Sequence, residues 1–166
     1  MTLTPEGGER MIEVRPNPTA DTRTCDFAKV TQKQLLESSV QHIADVRRAL
    51  AFFGSLLDEA ATRHDEDKLT DIRSFHEDFL TGFESTEWWD RHRRLNRHHL
   101  TNDDGIPDDV NLIDVLDFIA DCVMAGMARS GSVRSLEIKM EDLRRAFYNT
   151  AQLLESNVLV AGTGGA

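Results

Sequence analysis

The sequence predicts an all-α protein, a single-domain bundle of about five helices. Three observations lead there. Apolar residues between about positions 28 and 157 recur at spacings of three and four. No stretch alternates apolar and polar residues in the manner of a strand. At 166 residues, 40 % apolar and 29 % charged, the chain has the length and composition of one ordinary globular domain.

Residues 1–27 carry three of the four prolines and read as a flexible arm ahead of a helical domain over 28–157; residues 158–166 read as a flexible tail. The first helix runs from about Thr31 to Thr62, with Leu36, Val40, Ile43, Val46, Leu50, Phe53 and Leu57 as its apolar stripe. A second covers about Thr70 to Phe83, with Ile72, Phe75, Phe79 and Phe83 on one face. A third begins at Ser85 or Thr86, carries Glu87 and Asp90 in its first turn, and ends near "NRHHL", before the polar loop "TNDDGIPDD". The fourth spans about Asp108 to Arg129 and is closed by Gly131. The fifth spans about Ser132 to Asn157, and its stripe of Leu136, Met140, Leu143, Phe147 and Leu154 suits the core or a homodimer face.

Composition narrows the partners. A net charge of −10 argues against a nucleic-acid duplex, which needs a broad basic face. No apolar run approaches the roughly 20 residues that span a bilayer, and the N-terminus lacks a signal-peptide pattern. Cys25 and Cys122 are too few and too dissimilar in setting for a disulfide framework. Together these features predict a cytoplasmic protein with no membrane partner. "RHRRLNR" is a local basic island: Arg91 and Arg94 lie at helical spacing from Glu87 and Asp90, which leaves Arg93 and Arg97 for an anion. Of the adjacent Trp88 and Trp89, one buried and one half-exposed indole is expected.

All six histidines fall between residues 42 and 99. His42 flanks the first helix's buried stripe. His64 and Asp65 stand where that helix ends, a place where neighbouring side chains can converge as they cannot inside a helix. His98 and His99 again mark a helix end, with His92 one to two turns earlier. His76 reads as a surface group. The fourth helix is apolar except for Asp114, Asp117 and Asp121, a stripe that either meets water or presents a carboxylate to a cation inside the bundle. In order, the constellation is His42, His64-Asp65, Lys68, His98-His99, Asp121. Imidazoles with carboxylates suit a borderline divalent ion such as zinc, manganese or iron.

In that order the residues resemble the HD superfamily of metal-dependent phosphohydrolases, helical bundles whose ligands come as His, His-Asp and a distant Asp. "HDEDK" is similar to the HD-x-G-K form, with Asp67 where glycine is usual, and "HDxxK", "NxHH" and a D-x-x-x-D helix resemble small HD-like proteins of phages and bacteria. The likeness spans about residues 42–129. It implies an HD-domain-like fold and one or two divalent ions (Mn, Fe, Zn, Co or Mg) held by His42, His64, Asp65, His98, His99 and Asp121, with Asp121 preferred to Asp117. It implies hydrolysis of a small phosphate ester, a nucleotide by preference, by a metal-activated water. Lys68, Asp65 and His99 would carry the catalysis, and Lys68, His92, Arg93, Asn96 and Arg97 would contact the substrate. His98 and His99 would complete a second metal site or donate to the leaving group. The alternative is a catalytically silent HD-like protein that binds a nucleotide or a protein partner.

Overall fold

The structure, a computed structural model, describes residues 11–17, 26–84, 87–100, 106–133 and 135–162. Among them are six helices: α1 (Gln32–Arg63), α2 (Glu66–Thr70), α3 (Ile72–Leu80), α4 (Trp88–Leu95), α5 (Leu112–Ser130) and α6 (Met140–Ser156). Two short strands, β1 (Ile12–Val14) and β2 (Val158–Val160), complete the described elements. The protein is all-α, as the periodicity predicts. The chain divides into two compact units, residues 1–54 with 153–166, and residues 55–152.

In the first unit β1 and β2 pair in parallel, Ile12 opposite Val158 and Val14 opposite Val160. β1 and the residue after it are strapped to α1: Arg48 Nη2 donates to the Glu13 carbonyl (2.9 Å) and Gln41 Nε2 to that of Arg15 (2.6 Å). Part of the expected flexible arm and tail is therefore fixed. Strands of three residues are too short to display alternation, so the sequence carried no sign of them. The rest of the arm (1–10 and 18–25, with Cys25) and residues 163–166 lie outside the described residues. The apolar stripe of α1 is largely exposed at Leu36, Val40, Ile43, Val46 and Leu50. Periodicity identifies a helix and its apolar face; it does not state what covers that face.

The second unit holds the main core. Leu100, Val110, Val115, Phe118 and Ala146 are buried together, with Ile106, Leu112, Cys122, Ile138 and Leu143 packed against them. α5 starts on a capping box: the Asn111 side chain accepts from the backbone of Ile113 and Asp114, and Asp114 accepts from the Asn111 N–H. It ends on Gly131 in the left-handed conformation, φ 69°. Thr150 Oγ1 accepts from the Leu112 N–H (2.8 Å) and donates to the Ala146 carbonyl (2.7 Å), tying α6 to the start of α5.

Several helix boundaries differ from the sequence reading, and α5 starts at Leu112 rather than Asp108. α6 starts at Met140 rather than Ser132, because the backbone at Ser132 and Val133 folds back onto α5 at Gly126. The short α2 was not expected, and the expected second helix (about Thr70 to Phe83) is α3, which starts at Ile72 after a break at Asp71 and ends at Leu80. α4 is described from Trp88, and the expected start at Ser85 or Thr86 lies outside the described residues. Phe75 stacks on Trp88 (4.5 Å between ring centres), which packs α3 against α4.

Candidate metal centre

α1 and α2 meet at "HD", and the backbone there explains why the two side chains converge. Asp65 has φ 55° and ψ 19°, the left-handed region, which ends α1 at Arg63 and lets α2 leave in a new direction. Aspartate is among the few residues that visit this region routinely. The kink is supported from α4's end, where Asn96 Oδ1 accepts the Asp65 N–H (3.1 Å).

Three groups of side chains offer ligand atoms within 4.8 Å of one another: His64, Asp65 and Asp121; Asp65, His92 and His99; and His64, His98 and Asp117. Asp65 joins the first two. Its Oδ2 lies 3.6 Å from His64 Nε2, which is 3.9 Å from Asp121 Oδ1. Its Oδ1 lies 3.4 Å from His92 Nε2 and 3.6 Å from His98 Nε2. His92 Nε2 and His99 Nε2 are 2.9 Å apart. Ligand bonds of 2.0–2.2 Å at right or tetrahedral angles set donors roughly 2.8–3.6 Å apart, so four of these five spacings suit donors to a shared ion. Asp65 Oδ1 is buried and accepts no hydrogen bond. A carboxylate oxygen buried without a donor is costly, and a cation is the ordinary remedy.

Two further carboxylates orient the rings. Asp117 Oδ1 accepts from His64 Nδ1 at 2.8 Å, leaving Nε2 free to face Asp65 and Asp121. Asp67 Oδ2 accepts from His92 Nδ1 at 2.8 Å and is itself held by Asn96 Nδ2 through Oδ1 at 3.0 Å. A ligand histidine characteristically has its second nitrogen fixed in this way. His92 is fully buried, stacked on Trp88 (4.8 Å) and Trp89 (5.2 Å). Trp88 is buried and Trp89 half-buried, the division the sequence suggested.

The electrostatics agree with ligand chemistry. Burial pushes the His98 imidazole below its ordinary pKa, with the His64 charge adding to the effect and Asp117 opposing it. Burial, then the neighbouring His98 and His92, push His99 down to about 3. Both rings are neutral at physiological pH, with lone pairs available. Burial pushes the Asp65 carboxyl up, but the Lys68 hydrogen bond and charge, joined by His64 and His92, leave it below the usual carboxylate range.

The expected site residues are distributed as follows. His64, Asp65, His98, His99 and Asp121 belong to the groups, and Lys68 donates to Asp65 Oδ2. His42 belongs to none: it and His64 sit about six turns apart on the single continuous α1, too far to share an ion. His92, expected as a substrate contact, is buried among the ligand atoms instead. Asn96 braces Asp65 and Asp67. Arg97 is not open to an anion, because both prongs of its guanidinium grip Asp114 at 2.8 Å and Asp109 takes the rest. That pairing also raises its pKa. Arg93 pairs with Asp90. His76 is exposed, as expected.

The acidic stripe of α5 faces inward rather than to water: Asp114 caps the helix and clamps Arg97, while Asp117 and Asp121 reach the histidines. Sequence reasoning missed Asp67 and Asp117 as orienting residues. The signal available was the i, i+4 pairing of Asp117 with Asp121 on one helix face. No known protein-family profile matches the chain, and no curated protein or solved structure matches it either.

Proposed function

We propose that this protein is a divalent-metal-dependent phosphohydrolase acting on a small phosphate ester, with Asp65 central to the residues that would hold one or two ions. The observation that carries the reading is the buried, unpartnered Asp65 Oδ1 facing the His92 and His98 Nε2 atoms while Oδ2 faces His64. His64, Asp65 and Asp121 form one ligand set; Asp65, His92 and His99, with His98 beside them, form the other. Mixed nitrogen and oxygen donors suit manganese, iron or zinc.

A bound divalent ion supplies Lewis acidity and lowers the pKa of a coordinated water. The chain's own residues do the remainder. Asp117 and Asp67 fix the two ring orientations, and Asn96 holds the Asp65 kink. Lys68 donates to Asp65 Oδ2, and with that carboxylate holding a cation its ammonium would be placed to meet the phosphoryl oxygens. In the hydrolysis a water oxygen would bond to phosphorus as the bond to the leaving oxygen breaks, with the water's protons divided between phosphate and the departing alcohol. His98 and His99, with lowered pKa values, serve as ligands rather than as proton donors.

The test is elemental analysis of the purified protein beside a release assay for inorganic phosphate with Mn, Fe, Zn, Co or Mg. Bound metal with turnover that disappears in Asp65→Asn and Lys68→Met supports the reading. Metal without turnover on any ester would establish the silent binding protein instead, and no metal under any reconstitution would remove both.

A further inference from the structure

Trp88 and Trp89, adjacent on α4, both reach the ligand group formed by Asp65, His92 and His99. Residues three and four places earlier on a helix flank the later one on the preceding turn, and positions 88, 89 and 92 have that spacing. The Trp88 ring centre lies 4.8 Å from that of His92 with 12° between their planes, and the Trp89 ring centre 5.2 Å away with 22°. Trp89 also meets His99 nearly edge-on, at 5.5 Å and 72°. Among the described residues Trp89 makes no ring contact with His64 or His98. Its influence therefore falls on one ligand group and not on the one that His64 shares with Asp121.

Ring tilt matters here because an imidazole coordinates in its own plane, through a nitrogen lone pair. The His92 and His99 planes cross at 68° and their Nε2 atoms are 2.9 Å apart, so a small rotation of either ring turns a lone pair away from a shared ion. Asp67 and Asn96 hold His92 at Nδ1, which anchors one corner of the ring without setting its tilt. Near-parallel indoles set the tilt. Trp89 is braced in turn by Phe83, 4.9 Å away. Phe83 has φ 67°, a left-handed backbone that bulky residues rarely adopt, and its N–H donates to the Asp78 carbonyl at 3.0 Å. Such a conformation persists where its surroundings over-determine it. Coordination also draws electron density out of an imidazole, and the electron-rich face of an indole attracts a ring so polarised.

We propose that Trp89, braced by Phe83, is the positioning residue of the Asp65–His92–His99 group: it fixes the planes of both imidazoles so that their Nε2 lone pairs converge on one divalent ion. The proposal rests on the metal reading given above, and it assigns this indole a role toward an ion rather than toward the core. Trp89 is half-buried, whereas Trp88 is almost wholly enclosed and stacks on Phe75 at 4.5 Å. Trp88 therefore ties α4 to α3, and Trp89 is the one whose ring can change without opening the core. The group formed by His64, Asp65 and Asp121 has no ring contact with Trp89 and keeps its affinity whatever stands at that position.

The experiment is titration of the chelator-treated full chain with cobalt(II), read by competition with a chelating dye and by the visible absorption of the bound cobalt. Two variants separate positioning from packing. Trp89→Leu keeps an apolar side chain without an aromatic face, and Trp89→Phe keeps the face. Both should retain the parent's helical circular dichroism, since the position is half-buried. Trp89→Leu should weaken cobalt binding about tenfold and alter its absorption band, while Trp89→Phe restores most of the affinity. In a His92→Gln background, which removes the ring that Trp89 positions, Trp89→Leu should cause no further loss. Equal affinity in Trp89→Leu and the parent, or equal losses in Trp89→Leu and Trp89→Phe, overturns the positioning role and leaves the metal centre standing. A Trp89→Leu loss that persists undiminished beside His92→Gln does the same, because it would come from packing. A parent that binds no cobalt overturns both this proposal and the phosphohydrolase reading.

Discussion

Asp65 does two jobs that different substitutions separate. Its backbone occupies the left-handed region, and its two oxygens face different ligand sets. Asparagine tolerates the same backbone and keeps the shape, so Asp65→Asn should fold and lose the metal. Circular dichroism with elemental analysis reads this, and a metal content equal to the parent's would show that Asp65 is no ligand. Asp67 and Asp117 act one bond further out, through His92 and His64. Asn in either place should weaken metal affinity about 10- to 100-fold without changing the saturated stoichiometry. Competition with a fluorescent chelator measures that, and an unchanged affinity would reduce the two carboxylates to packing. The neighbouring histidines give a pH signature in the metal-free protein. His99 is pushed down to about 3 when folded, and His98 also lies below its ordinary value. In the unfolded chain both titrate near 6.5. Below about pH 6.5 the unfolded state therefore takes up protons that the folded state refuses. Stability present above that pH is lost as pH falls toward 3. The urea midpoint should drop between about pH 7 and pH 5, and less steeply in His99→Gln. An equal slope in both proteins would contradict the assigned burial.

At the scale of elements, the site depends on the short turn after α4. Asn96 bonds Asp65, Asp67 and its own helix, and Leu100, almost wholly buried, pins the turn carrying His98 and His99 into the core. Leu100→Ala should cost about 2–5 kcal/mol in stability and loosen metal binding with it, through the cavity left under the turn. Denaturant melts of the two proteins would show this, and a loss well under 1 kcal/mol would mean that the turn is held elsewhere. The same turn marks how far the sequence could be read. Long periodic segments gave α1, α3, α5 and α6, because apolar spacing records which face of a helix is buried. The ligand-rich helix ends were visible as "HD" and "NRHH", since polar clusters interrupt that spacing. Three things were not legible. The break at Asp71, the strand pair at Ile12 and Val158, and the retreat of α6 to Met140 depend on contacts distant in sequence or on one close backbone approach at Gly126. His42, expected among the ligands, belongs to none of the groups. Motif order preserves sequence but not the helix that sets it turns away from His64. Arg97 looked free beside "NRHH" because its partners, Asp109 and Asp114, lie twelve and seventeen residues on, in the turn before α5 and in its first turn.

For the whole molecule, the balance of buried groups would give a bound metal a structural as well as a chemical role. Among the described residues nine hydrophobic side chains are buried against seven polar or charged ones. Three of those seven, His92, Asn96 and His98, line or brace the centre. Burying polar groups stabilises a fold only when each finds a partner, and here Asp65 Oδ1 has none without a cation. The net charge of −10 favours the arrival of that cation and opposes the approach of an anionic ester to the metal-free protein. Metal binding at these residues would therefore be linked to folding. An ion present at a hundred times its dissociation constant stabilises the folded state by about 2.7 kcal/mol for one site. For a chain of this size that corresponds to a rise of about 5–10 °C in melting temperature. Thermal melts with excess manganese or zinc, and again after chelation, should differ by at least that much in the parent. The difference should vanish in Asp65→Asn, which keeps the kink but not the charge. A parent whose melting temperature ignores both metal and chelator would show that the centre folds fully without an ion, and that its carboxylates are balanced by Lys68 and the histidines alone.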